Sequence, residues 1–180
     1  MKNYKSQMFF IGPPFGNYIK LDNLVPIRGS FTLEPRSGLI LQILKTLRYN
    51  FEYKDWTNKI GLRNKGIDYA IKTWTKGEII SVAILNPSDI TPLLEKIPKN
   101  MDIELNISCP NVAESAHNIE NRLSLSKSLS RFINPSRDWC IIKLSPICNT
   151  NEIDTLYKDG FRQFHCSNTL PVSNGGLSGK

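Results

Sequence analysis

Few residues in this sequence could bind zinc through a thiolate or an imidazole, or cross-link the chain, because its 180 residues include only four cysteines and two histidines. The cysteines form no C-x-x-C pair and no histidine lies at metal-binding spacing from them, so we expect no metal site and no disulfide framework. No apolar run approaches the ~18 residues of a membrane span. The apolar stretch near the N-terminus is broken by Gly12, Pro13 and Pro14 and is too short for a secretory signal. We therefore expect a cytoplasmic protein, in a reducing compartment, that does not contact a membrane.

The sequence also lacks clusters of charged residues of one sign. The net charge is +7, but lysine and arginine are scattered without a block of five or more, and neither a zinc-finger nor an RNA-recognition motif is present. The positive charge is therefore interpreted as solvated surface, and we expect no nucleic-acid partner. With 40% hydrophobic and 22% charged residues, the composition is that of a globular protein. Residues 1–180 are predicted to form one domain.

What the sequence does contain is an alternation of strand-like and helix-like segments. Short apolar or β-branched runs typical of strands lie at residues 8–12, 24–33, 79–85, 101–108, 139–145 and 161–168. Apolar residues at helical spacing lie in residues 37–49, 90–97, 119–133 and 149–160. Asn149 and Glu152 resemble a capping box at the start of the last helix, and Gly160 is a stop signal at its end. Such alternation predicts an α/β protein with a parallel sheet covered by helices.

Two parallel architectures fit this alternation, a doubly wound sheet and a (β/α)8 barrel. A dinucleotide-binding sheet is expected to carry G-x-G-x-x-G after its first strand, and this motif is absent. In a barrel the functional residues follow the carboxyl ends of the strands. Polar and reactive residues lie at such positions here, namely Asn106, Cys109, Asn111, Lys143, Asn168 and Thr169. We therefore predict an incomplete TIM-type (β/α)8 barrel with about six of its eight strands.

Six segments, in order along the chain, resemble the dihydroorotate dehydrogenase family of FMN-dependent barrels. They are "IGPPFGN" (11–17), "GSFTLEPRSG" (29–38), "NKIGLRNKG" (58–66), "ELNISCPN" (104–111), "IIKLSP" (141–146) and "HCSNTLP" with "GGLSGK" (165–171 and 175–180). The resemblance implies an oxidoreductase acting on CH–CH bonds, which oxidises dihydroorotate to orotate with FMN in de novo pyrimidine biosynthesis. Its small-molecule partner would be dihydroorotate or a related pyrimidine.

The resemblance also implies a role for individual residues. Cys109 matches the catalytic base, and a thiol, with its pKa near ~8.5 and easily lowered by neighbours, suits that role. A structural buried cysteine is the alternative interpretation. The residues that match substrate-binding positions are Asn58, Gly61, Leu62, Asn106, Asn111, Asn168 and Thr169, and those that match FMN-binding positions are Gly12, Ser30, Asn106 and Lys143. The two histidines, His117 and His165, match no family position, and His165 is expected to pack within a strand.

The sequence departs from the family pattern in two respects. Gly29 occupies the second-strand position where the family has a lysine near flavin and substrate, which leaves a related substrate open. The segments end at the "GGLSGK" motif, before the loops after strands 7 and 8 that hold phosphate in such barrels. The expectation is a truncated barrel that forms a homo-oligomer or pairs with a completing chain. The alternatives are a non-enzymatic remnant and a flavoenzyme acting on dihydropyrimidine or dihydrouridine.

Overall fold

The computed structural model of the chain describes residues 8–107, 126–146, 148–166, 170–172 and 175–178. Its strands, in chain order, are β1 (Phe9–Ile11), β2 (Leu24–Phe31), β3 (Arg48–Asn50), β4 (Asp55–Asn58), β5 (Ile79–Ala83), β6 (Ile103–Asn106), β7 (Cys140–Lys143), β8 (Gln163–His165), β9 (Leu170–Val172) and β10 (Gly175–Ser178). Its α-helices are α1 (Leu39–Thr46), α2 (Ile67–Thr73), α3 (Ile90–Lys96) and α4 (Thr150–Lys158). No described helix is long and apolar enough to cross a membrane.

Six of these strands form one parallel sheet in the order β1-β2-β5-β6-β7-β8. The ring of Phe10 in β1 meets the ring of Trp139, just before β7, edge to face, with centroids 5.1 Å apart. In a flat sheet, strands four positions apart would be separated by roughly 19 Å. The sheet is therefore curled into a half-barrel, and the predicted incomplete TIM-type barrel with six strands is confirmed.

The convex face of the half-barrel packs against the helices and forms the main hydrophobic core. Alternate residues of the central strands lie here, and the strands contribute Ile80, Val82, Ile103, Leu105 and Ile142. The helices and the segment before β7 cover them with Ile67, Ala70, Ile90, Leu93, Leu129, Phe132 and Leu156. Fully burying one such side chain contributes about 1.5–3 kcal/mol, so this layer supplies much of the driving force for folding.

The concave face changes character along the strands. Toward the amino ends, Ile27, Ile79 and Ile141 form a small apolar cluster, with Val25 and Trp139 packed against it. Nearer the carboxyl ends, Glu104 of β6 and Ser81 of β5 lie on the same face, in register with Ile141 of β7. Asn106 and Lys143 follow at the carboxyl ends. The apolar layer closes the bottom of the half-barrel, and the polar residues are left at the end where a barrel carries its function.

A second sheet, which the sequence did not predict, lies beside the half-barrel. It is antiparallel with the order β3-β4-β10-β9. The sequence pattern assigned residues 37–49 to one helix, but α1 ends at Thr46 and β3 begins at Arg48. The apolar stripe of α1 is also not part of the core, since Ile40 and Leu44 are 75% and 69% exposed.

The other predicted helices agree with the structure where it describes them. Asn149 caps α4 by accepting a hydrogen bond from the Glu152 backbone N–H at 2.9 Å. Gly160 follows the helix at a φ of +107°, a conformation that favours glycine, and so confirms the predicted stop. Of the helix predicted at 119–133, residues 126–129 are helical and continue into a 3₁₀ turn at Ser130–Phe132. Residues 119–125 lie outside the described residues.

Candidate active site

Three polar residues form a row at the carboxyl ends of adjacent strands. Asn106 ends β6 and is the register partner of Lys143, which ends β7. Lys143 is in turn the partner of His165, which ends β8. Because neighbours in register lie on the same face of a sheet, all three belong to the concave face. The structure thus brings together Asn106 and Lys143, two of the residues predicted to bind substrate and cofactor.

A chain of hydrogen bonds begins at Asn106 of β6, passes through side chains of β2 and β5, and returns to β6 at Glu104. The Asn106 side-chain Nδ2 donates to Ser30 Oγ at 2.9 Å, and Ser30 Oγ lies 2.8 Å from Ser81 Oγ. Ser81 Oγ donates to Glu104 Oε1 at 2.7 Å. The other carboxylate oxygen, Oε2, lies 2.5 Å from Nδ1 of His165. Ser30, predicted to contact the cofactor, is therefore connected directly to Asn106.

Glu104 carries a charge at the centre of this chain, although its side chain has no exposed surface. Burial opposes its ionisation, but the hydrogen bond from His165, the positive charge of Lys143 and the hydrogen bond from Ser81 hold its pKa below the ordinary value of glutamate. Glu104 is therefore an anion at neutral pH, flanked by a lysine and a histidine.

Sequence reasoning missed this cluster. It placed His165 in a strand, which is correct, but assigned it only to packing, whereas its half-buried side chain pairs with Glu104. A signal was available, since Glu104 is an acid in the middle of the apolar segment "MDIELNI". A buried carboxylate needs partners, and that requirement could have directed attention to a nearby histidine or lysine.

Gly29 occupies the position at which the family resemblance implies a lysine, and its backbone admits no side chain. Its φ is +125°, and a Cβ added there would lie 2.6 Å from the carbonyl oxygen of Ser81. Asn17 holds this peptide from the other side, because its Oδ1 accepts from the Gly29 N–H at 3.0 Å. No side chain fits at position 29 on this backbone, so the positive charges facing the site come from other strands.

The segment that matches the family's substrate loop is held by Asn64. Its Nδ2 donates to the carbonyl oxygen of Leu62 at 2.7 Å, and its Oδ1 accepts from the Gly66 N–H at 2.8 Å. Gly61 and Leu62 both have positive φ angles, +69° and +55°. Arg36 donates to the carbonyl oxygen of Gly61 at 3.1 Å. The predicted loop residues Gly61 and Leu62 therefore have a fixed backbone conformation, and Asn64 is the residue that fixes it.

The second sheet and a separate backbone bridge together connect three of the sequence motifs. Asn58 ends β4 and pairs with Gly176 of β10, which belongs to the "GGLSGK" motif. Arg36, in the "EPRSG" motif, forms an antiparallel bridge with Asn64. Thr32 extends this link to β2 and the half-barrel, because its hydroxyl accepts from Asn64 Nδ2 at 3.0 Å. Segments far apart in the sequence thus meet at the carboxyl end of the half-barrel.

Gly12 lies elsewhere, beside a cavity between the two edge strands. The cavity measures about 290 Å³ and is lined by Phe10, Gly12, Ile27, Trp139, Ile141, Gln163, Phe164 and His165. Among these described lining residues, His165 is the one that also belongs to the hydrogen-bonded chain. Cys109, Asn111, Asn168 and Thr169 lie outside the described residues, so their predicted roles remain predictions.

The close approach at Gly29 leads to a stability prediction. Gly29→Ala should lower the free energy of unfolding by about 2–4 kcal/mol, because both the positive φ and the contact with the Ser81 carbonyl oppose a Cβ. Gly77→Ala is the matched control, since Gly77 has a φ of +97° but open space around it. Urea denaturation of both variants measures the difference. Equal losses of stability would show that the Ser81 contact imposes no constraint.

Comparison with known proteins identifies the family. The family model described as dihydroorotate dehydrogenase matches residues 15–180. Three curated relatives from Streptococcus agalactiae, of serotypes Ia, V and III, carry the name "putative dihydroorotate dehydrogenase A (fumarate)" and are each 39% identical over the aligned segment. That segment covers 32% of this chain and 23% of each relative, so the match spans under a quarter of the relatives' length. Because the family model matches most of the sequence, this chain belongs to the dihydroorotate dehydrogenase family.

Proposed function

We propose that the chain provides the pyrimidine and flavin-ring part of an FMN-dependent dihydroorotate dehydrogenase. The observation that carries this proposal is the pairing of Asn106 and Lys143 at the carboxyl ends of β6 and β7, with Ser30 hydrogen-bonded to Asn106. An amide, an ammonium and a hydroxyl beside one another suit the polar edge of a flat heterocycle. The reaction, oxidation of dihydroorotate to orotate, would belong to de novo pyrimidine biosynthesis.

The donor set fits the ring of FMN. Lys143 would hold its positive charge near the pyrimidine edge of the ring, where negative charge develops on reduction, and Asn106 and Ser30 would supply hydrogen bonds. FMN, when bound, would be the oxidant and would accept the hydride from C6 of dihydroorotate.

The chain's own residues would bind the substrate and move one proton. Cys109, three residues after the end of β6 in the sequence, would take the proton from C5 of dihydroorotate as a general base. The amides of Asn58, Asn106, Asn111 and Asn168, together with Thr169 and the backbone of Gly61 and Leu62, would hold the pyrimidine.

Cys140 is not suited to the role of base. It begins β7, at the opposite end of that strand from Lys143, and burial raises the pKa of its thiol to about 11. Its thiol is therefore protonated near neutral pH and cannot accept a proton there. Of these two cysteines, Cys109, which follows β6 in the sequence, is the better candidate.

Substitution of Cys109 tests the proposed chemistry. Cys109→Ala should abolish dihydroorotate oxidation and leave the fold intact, while Cys109→Ser should retain a small activity that rises toward high pH, because a hydroxyl is a poorer base than a thiol. Turnover is measured with saturating FMN, and circular dichroism checks the fold. Cys140→Ser is the matched control and should keep wild-type turnover. Undiminished turnover by Cys109→Ala would refute the assignment.

The half-barrel also requires completion. Strands β1 and β8 are the edges of the parallel sheet, and the cavity between them is lined by side chains from both. We propose that a polypeptide with two further βα units, in a completing chain, closes the barrel and brings the loops that hold the FMN phosphate. Exposed edges of this kind pair readily with other chains.

The expected consequence is weak FMN binding by residues 1–180 alone. Losing two or three charge-assisted hydrogen bonds to the phosphate, each contributing about 1.5–3 kcal/mol, weakens affinity by several powers of ten. Titration of the monomeric 180-residue chain with FMN, alone and with a polypeptide that supplies the last two βα units, measures the difference. Riboflavin, which lacks the phosphate, is the control and should bind equally in both cases. Nanomolar FMN binding by the isolated monomer would place the phosphate anchor within these residues.

The residue at position 29 supports a second candidate substrate. Gly29 stands where the family has a lysine, so the site lacks one positive charge that could face the carboxylate of dihydroorotate. A dihydropyrimidine or dihydrouridine without that carboxylate is therefore the second candidate substrate. Comparison of kcat/KM for dihydroorotate and dihydrouracil distinguishes the two. FMN binding without turnover of either would instead favour a non-enzymatic remnant.

A further inference from the structure

We propose that Glu104 is a positioning residue, which fixes the orientation of the Asn106 side-chain amide through the hydroxyls of Ser81 and Ser30. The inference rests on the proposed function, because the amide it orients is the one assigned to the flavin ring and the pyrimidine. Glu104 itself is fully buried and is separated from Asn106 by two hydroxyl groups.

The direction of the chain follows from proton counting. An ionised carboxylate can only accept hydrogen bonds, so the hydroxyl proton of Ser81 is directed to Glu104 Oε1, 2.7 Å away. Ser81 then has no further proton, and Ser30, 2.8 Å away, has to donate to it. Since the Ser30 proton is directed to Ser81, the Ser30 oxygen can only accept a hydrogen bond from Asn106. The Asn106 group that donates it, at 2.9 Å, is the amide nitrogen. At each link, therefore, only one direction of the hydrogen bond is possible.

The consequence for the site concerns the other end of the Asn106 amide. With Nδ2 directed to Ser30, the carbonyl oxygen Oδ1 is the group directed away from the chain, as an acceptor. The two ends of an asparagine amide have nearly the same shape and opposite hydrogen-bonding character. Without the carboxylate, Ser30 could donate to Oδ1, and the amide could present a donor in its place. Glu104 therefore fixes which end of the Asn106 amide faces Ser30 and which end faces away from it.

The surroundings of Glu104 keep it in the form that this role needs. His165 Nδ1 lies 2.5 Å from Oε2, and Lys143 is the register neighbour of both Asn106 and His165. These groups hold the pKa of Glu104 below its ordinary value despite burial. Chains of hydrogen bonds anchored on a charge also polarise one another, which stiffens the arrangement.

Substitution of Ser81 separates positioning from stability. Ser81→Ala removes one link and leaves Glu104, His165 and Asn106 in place. It should weaken binding of FMN, the probe used here, about tenfold, since one oriented hydrogen bond to the ring is lost. Asn106→Ala should also weaken binding about tenfold. If Ser81 acts on the ligand only through Asn106, the double variant should bind no worse than Asn106→Ala alone.

The controls and outcomes are distinct from those of the proposed function. Ser88→Ala, on the surface, should leave FMN affinity unchanged. Losses that multiply in the double variant, to about a hundredfold, would overturn the proposal. Failure of the wild-type chain to bind FMN at all would instead contradict the proposed function.

A ligand-free measurement tests the same orientation directly. In ¹⁵N–¹H correlation spectra, the Asn106 side-chain amide signal, identified by its loss in Asn106→Ala, should shift in Ser81→Ala and in Glu104→Gln. The matched control Glu95→Gln, which removes one acid from the exposed face of α3, should leave it in place. An Asn106 signal unchanged in both network variants would overturn the proposal. Should Glu104→Gln fail to fold, Ser81→Ala, which keeps the carboxylate, decides the question alone.

Discussion

The concave face of this half-barrel depends on burying one carboxylate. A lone ionised acid without exposed surface would cost several kcal/mol, so the strands around Glu104 have to supply hydrogen bonds and positive charge. They do so from three sides, with Ser81 on β5, Lys143 on β7 and His165 on β8. The requirement fixes the relative register of these strands, because slipping one residue would turn the partner to the other face. The same residues then define the polar end of the sheet.

The rest of the architecture places the family's motifs around that polar end. The apolar cluster of Ile27, Ile79 and Ile141 fills the bottom of the concave face. The antiparallel sheet pairs Asn58 with Gly176. Asn64 fixes the backbone of the loop that follows Asn58. Gly29 admits a close contact between β2 and β5, and no lysine fits there, although the family resemblance implies one at this position. In the proposed site, substrate recognition would therefore depend on the asparagine amides and on Lys143.

Much of the half-barrel could be predicted from the sequence, because strands buried on both faces read as continuous apolar runs such as "IISVAIL". Parallel order also places the ends of β6 and β7 together, so Asn106 and Lys143 were identifiable as neighbours. The second sheet was not predictable in this way. Its strands are short, β9 and β10 contain Pro171, Gly175 and Gly176, and their pairing is determined by contacts between distant segments. The link between Glu104 and His165 joins residues 61 positions apart and depends on strand register, which no local pattern encodes.

The central claim is that these residues surround a flavin and a dihydropyrimidine. Its most direct test is a single turnover without oxygen, in which the completed barrel loaded with FMN is mixed with dihydroorotate and the flavin absorbance is followed. The account predicts loss of the oxidised flavin band together with formation of one equivalent of orotate. Bound FMN that stays oxidised in the presence of saturating dihydroorotate and dihydrouracil would contradict it.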